Sequence, residues 1–93
     1  MLFDKVEVSA GEGHAPVVLK NRIMRSATYE GIAAPDGSMT PQLQREMERL
    51  AEHNVGLVVF SYFFTEECSR ASEFQLSMAS DAAAESCREA VRL

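Results

Sequence analysis

Two clusters of small and hydroxyl-bearing residues stand at the ends of apolar runs. Ser26, Ala27, Thr28 and Tyr29 follow Ile23-Met24-Arg25, and Ser61 and Tyr62 fall near the end of Val55–Phe64. Such residues offer hydroxyls together with the backbone groups left unpaired where a strand stops. At the C-terminal tips of parallel strands, groups of this kind border the place where ligands bind. The chemistry they suit is hydrogen bonding to a ligand. An ordinary strand running into a polar loop has the same composition, because polar residues normally mark a strand's end. The residues alone leave both readings open.

Other chemistries find less support. His14 and His53 are the two histidines, and no Ser-His-Asp set, paired general acid and base, or metal cluster can be assembled around them. Gly11-Glu12-Gly13 lacks the third glycine and the following helix of a phosphate-binding loop. Cys68 and Cys87 have neither C-x-x-C nor zinc spacing and read as reduced thiols of a cytoplasmic protein. No catalytic residue can be named.

The elements that position the two clusters follow from pattern. Residues 1–20 read as two short strands, with Phe3, Val6 and Val8 in the first and Val17-Val18-Leu19 in the second. Gly11, Gly13 and Pro16 mark the loop between them, so a β-hairpin is expected, with His14 exposed in its loop. Residues 21–29 are expected to form the first strand of the main sheet. Pro35-Asp36-Gly37-Ser38 is a turn: proline presets one dihedral and glycine accepts a positive φ. Thr40 suits a helix N-cap and Pro41 the first helical position. Leu43, Met47, Leu50 and Ala51 then recur as one apolar stripe. Arg45 with Glu48, and Glu46 with Arg49, are spaced to pair on the solvated face. His53 falls in the last turn, and Asn54 suits the left-handed residue that ends a helix.

Val55–Phe64 is a nearly unbroken apolar run, which predicts one strand covered on both faces in a parallel sheet. Strand, helix and strand then make a βαβ unit, right-handed by rule. Its parallel pairing would set Ser26–Tyr29 and Ser61–Tyr62 on one rim. Thr65–Ser80 is expected to be a polar loop without a further strand. A second helix should begin at Ser80 or Asp81 with Ala83, Cys87, Ala90 and Val91 on its apolar face.

Composition bounds the function. Ninety-three residues, 46% hydrophobic and 25% charged, fit one small globular domain. The net charge of −5, with no basic block, argues against nucleic acid or anionic membrane as partners. No apolar run approaches the roughly 18 residues that a membrane span needs. The start, Met1-Leu2-Phe3-Asp4, has no basic n-region, so no signal peptide is expected.

The run Leu19-Lys20-Asn21-Arg22-Ile23, followed by Arg25-Ser26-Ala27-Thr28-Tyr29-Glu30-Gly31, resembles the first barrel strand of the Old Yellow Enzyme family of NADH:flavin oxidoreductases. The Asp36-Gly37 turn, the Thr40-Pro41 helix start and Asn54-Val55-Gly56-Leu57-Val58-Val59 follow in that family's order and spacing. The resemblance implies the N-terminal part of an FMN-binding (β/α)8 TIM barrel over residues 1–93, ending before the barrel is complete. It comprises a hairpin cap, strand 1, helix 1, strand 2 and the start of helix 2. It further implies flavin contacts at Ser26, Ala27, Thr28, Tyr29, Ser61 and Tyr62. Tyr29 stands where other members carry threonine or cysteine. Arg70 matches the arginine of the family's Pro-x-Gly-Arg signature, although Glu67 and Ser69 replace its proline and glycine. The family's substrate clamp, proton-donor tyrosine and phosphate site would lie beyond residue 93.

By this resemblance the complete enzyme would take hydride from NAD(P)H onto FMN and pass it to an activated alkene. Two alternatives stand beside it. One is a non-enzymatic remnant that folds by self-association or with a complementing chain. The other is a small α/β interaction module.

Overall fold

The computed structural model describes residues 1–92. It is a small mixed α/β domain with short strands and helices. Strands β1 (Val6–Val8) and β2 (Val17–Leu19) form the expected antiparallel hairpin, with Val6 opposite Leu19 and Val8 opposite Val17. Gly11 and Gly13 turn the loop with φ of 94° and 81°. Most of the hairpin is exposed, His14 included; Val6 and Leu19 alone in its strands are half-buried.

Strand β3 (Met24–Arg25), helix α1 (Pro41–Glu52) and strand β4 (Leu57–Val58) make the expected parallel unit, Met24 beside Leu57 and Arg25 beside Val58. The first strand is much shorter than residues 21–29. At its entrance the Asn21 side chain replaces ladder bonds: its Nδ2 donates to the Asn54 carbonyl at 2.6 Å, and its Oδ1 accepts from the Ile23 amide at 3.0 Å. Gly56 lets this happen, since a Cβ there would lie 2.4 Å from Asn21 Oδ1. One further bond, Val59 N–H to the Arg25 carbonyl at 2.9 Å, closes the ladder at the other end.

Val55–Phe64 is not a single strand. The chain breaks at Ser61, whose φ is 51°, and resumes as β5 (Phe63–Phe64). A left-handed residue reverses the local twist and ends the ladder with β3. β5 then pairs in parallel with β6 (Leu76–Ser77), a strand inside the segment expected to be loop. Nor is the run covered on both faces. Val58 and Phe60 pack toward α1, while Leu57 and Val59 are 40% and 41% exposed.

The α1 boundaries agree with the sequence. Thr40 Oγ1 accepts from the Leu43 amide at 3.1 Å, Pro41 opens the helix, and Asn54 follows it with φ 62°. Leu43 and Met47 are buried and Leu50 is half-buried, but Ala51 at the end of the stripe is exposed. Glu46 pairs with Arg49 at 3.2 Å, whereas Glu48 accepts from Gln44 at 3.2 Å in place of an Arg45 pair.

Ser80 caps α2 (Asp81–Ser86) through a 3.1 Å bond from the Ala83 amide, and α3 (Arg88–Val91) follows directly. Ala83, Cys87 and Ala90 face inward, but Val91 is 73% exposed. The core gathers Ala33, Leu43, Met47, Leu76 and Cys87, with Ile32, Met39, Leu50, Val58, Phe60 and Phe63 packed around it. Among the described residues no helix is long and apolar enough to cross a membrane.

Candidate functional site at the β3–β4 rim

The parallel register sets the C-terminal ends of β3 and β4 side by side. Ser26, Ala27, Thr28 and Tyr29 leave β3 exposed, and Tyr62 is exposed beyond β4. Ser61 lies between them but is buried, at 4% exposure. Thr28 Oγ1 donates to the Ser26 carbonyl at 3.0 Å, which fixes the tip as a local turn. The Tyr29 hydroxyl makes a short hydrogen bond with Ser72 Oγ, in the loop before β6.

The residue that joins the two tips is Glu30. Ser61 Oγ donates to Glu30 Oε2 at 2.9 Å, and Arg25 Nη1 donates to Glu30 Oε1 at 3.1 Å. The Arg25 and Glu30 side chains are 21% and 10% exposed, so water screens the pair little. A half-buried carboxylate with a cation on one oxygen and a hydroxyl on the other braces the two strand ends against each other. The Ser61 hydroxyl, aimed at a carboxylate whose charge Arg25 balances, is likewise committed. Nothing in the sequence marked Glu30, because one carboxylate in a loop ordinarily points to solvent.

Arg70 is committed as well. Its Nη2 donates to the Pro35 carbonyl at 2.6 Å and to the Glu73 carbonyl, and its Nε donates to the Ser72 carbonyl at 3.0 Å. Its guanidinium lies 5.1 Å from the centre of the Phe64 ring. A planar donor set suits several carbonyls at once. Arg70 thereby ties the 35–38 turn to the loop before β6, leaving few donors for an anion.

Among the described residues, one cleft lies between α1 and Ser86, another beside Arg70, and another, about 270 Å³, is an apolar groove among Met47, Ala51, Val58, Phe60, Ala90 and Val91; Ser26–Tyr29, Ser61 and Tyr62 line none of these. No group of three His, Cys, Asp or Glu side chains among the described residues is placed to hold a metal ion. What the rim can do is limited to hydrogen bonding along one edge of a ligand. The exposed segment 26–29 offers backbone groups for this, with the uncharged face of Met24, Leu57 and Val59 adjoining it.

No model of a known protein family matches the chain, and no curated protein is significantly similar to it.

Proposed function

We propose that the chain is the N-terminal segment of an FMN-dependent NAD(P)H oxidoreductase of the Old Yellow Enzyme type. The observation that supports this reading is the parallel β3–α1–β4 unit, with Ser26–Tyr29 and Ser61 at adjacent strand ends. A (β/α)8 barrel begins with such a unit and carries its ligands at that end. Bound flavin would supply hydride transfer between NAD(P)H and an activated alkene.

The chain's own residues fit one edge of that ring. Backbone groups of Ser26, Ala27 and Thr28 would hydrogen-bond its polar edge. Tyr29 and Tyr62 would flank it, and Glu30 would hold Ser61 and the two tips in register. A phosphate partner is not evident at the rim, since Arg25 is occupied by Glu30.

A titration of FMN fluorescence tests the reading. Contact along one edge covers far less than the roughly 70–90% of ligand surface that good sites bury, so saturable quenching with a Kd above about 10 μM is expected. Ala27→Pro, which deletes an amide donor at the tip, should weaken it at least threefold. The isolated chain should show no NAD(P)H:enone turnover above a protein-free blank. Absence of saturable quenching, or quenching unchanged by Ala27→Pro, would refute the flavin site.

The second reading, a self-associating α/β module without flavin, is favoured by a different observation: the open apolar face of β3 and β4.

A further inference from the structure

Beyond the end of β3 the chain is held by side chains. Among the described residues, no backbone-to-backbone hydrogen bond reaches residues 26–31. Thr28 bonds within the segment, to the Ser26 carbonyl. Three side-chain hydrogen bonds fasten it to the rest of the molecule: Tyr29 to Ser72, and Glu30 to Arg25 and to Ser61. Gly31 follows with φ 73°, and a Cβ there would meet nothing nearer than the Tyr29 ring, at 3.5 Å. Glycine enters and leaves that conformation at little cost, so the segment has a hinge beside Glu30.

The partners of Glu30 are fixed where Glu30 is not. Ser61 is 4% exposed and is aimed from a left-handed backbone at the break between β4 and β5. Strained residues persist where their surroundings hold them, often at ligand clamps. Arg25 is the last residue of β3, its carbonyl bonded to the Val59 amide at 2.9 Å. A guanidinium and a hydroxyl that each take one oxygen of the same group form a receptor for a planar carboxylate. The receptor stands on strand ends, and the carboxylate that fills it rides on a hinged strap.

We propose that Arg25 and Ser61 form a binding site for the carboxylate of a small-molecule ligand. Glu30 is its resting occupant, and the 26–31 segment swings on Gly31 to admit the ligand. The exchange keeps charge balanced: one carboxylate leaves Arg25 as another arrives, so the cation is never left unpaired. The displaced Glu30 joins Ser26–Tyr29, which are already exposed, and water hydrates it there. Glu30 competes from five residues along the chain, at an effective concentration of order millimolar or more. An external carboxylate therefore binds the resting chain weakly, and removing Glu30 uncovers the site. This inference does not rest on the flavin reading and survives its failure.

Titration of the isotope-labelled chain with propionate, followed by amide chemical shifts, tests it without flavin. The pH is neutral and chloride keeps the ionic strength constant. In the unaltered chain, amides of residues 25–31 and 61 should shift saturably, with a Kd on the order of 10 mM. Glu30→Ala empties the site and should lower that Kd at least about tenfold. Ser72→Ala unfastens the strap at Tyr29 while leaving Arg25 and Ser61 in place, and should lower it about threefold. Circular dichroism checks the fold of both variants; should Glu30→Ala not fold, Ser72→Ala decides alone. Absence of saturable shifts in the unaltered chain overturns the proposal. So does a Kd left unchanged by either folded variant, or a set of shifts that chloride alone reproduces.

Discussion

Ser61 holds a conformation that serine rarely adopts. At φ 51° its Cβ crowds the backbone, at a cost of roughly 1–2 kcal/mol. The hydrogen bond from its hydroxyl to Glu30 offsets that, since bonds to a charged acceptor contribute roughly 1.5–3 kcal/mol. Substitutions separate the two effects. Ser61→Ala keeps the strain and loses the bond, so it should destabilise by about 2 kcal/mol. Ser61→Gly loses the bond but also the strain, and should cost at least about 1 kcal/mol less than alanine. Urea unfolding of the two variants checks the order; alanine proving the milder change would contradict this account. The sequence put Ser61 at a strand tip but could not have given its dihedral. Asn54 was legible as left-handed because asparagine tolerates that region and follows a helix. Serine carries no such mark. Glu30 was illegible for a related reason: its partner Ser61 is 31 residues away, and only the parallel pairing brings them together.

At the scale of elements, what local chemistry dictates was legible and what depends on distant pairing was not. The Thr40-Pro41 start, the Asp36-Gly37 turn and the start of the second helix at Asp81 are written in a few adjacent residues, and each stands where expected. The Asp36 carboxylate accepts from both the hydroxyl and the amide of Ser38, which holds its pKa below the ordinary 3.8. β5 and β6 are different. Each is a two-residue strand that exists through its parallel neighbour, and a two-residue ladder has no periodicity to read. The break at Ser61, not any loss of apolar character, divides Val55–Phe64. The cap at Thr40 invites a measurement. Its hydroxyl both accepts from Leu43 and donates to the Ile32 carbonyl at 2.6 Å, so it pins the incoming loop as well as the helix. Thr40→Ala should destabilise by about 2 kcal/mol, the upper part of the range for lost caps. Thr40→Ser should recover most of this. Chemical denaturation with an unchanged m-value is the check, and serine failing to rescue would argue against the hydroxyl's role.

For the whole molecule, the sequence was most informative about order and least about closure. The succession hairpin, strand, helix, strand, helix is present, because hydrophobic periodicity and turn residues encode it one element at a time. How much of each face is covered is a property of the finished assembly. Leu57 and Val59 read as core in a run of apolar residues, yet their face stands open. The two free cysteines give this looseness a clock. Cys68 is exposed in the loop, while Cys87 is 2% exposed among Leu43, Met47 and Leu76. Burial raises the Cys87 thiol above its ordinary 9.0, so the fold favours the neutral form. That contribution is full below pH 9.0 and is lost as pH rises through the raised value. A disulfide reagent such as dithionitrobenzoate at neutral pH should therefore modify one thiol at once and the second only when the core opens. The ratio of the slow rate to that of the unfolded thiol reads the opening equilibrium directly, with no label introduced. Two thiols reacting together would mean that the core around Cys87 is not closed. A slow phase whose rate does not change with protein concentration would mark the opening as an event within a single chain, timed by one buried sulfur atom.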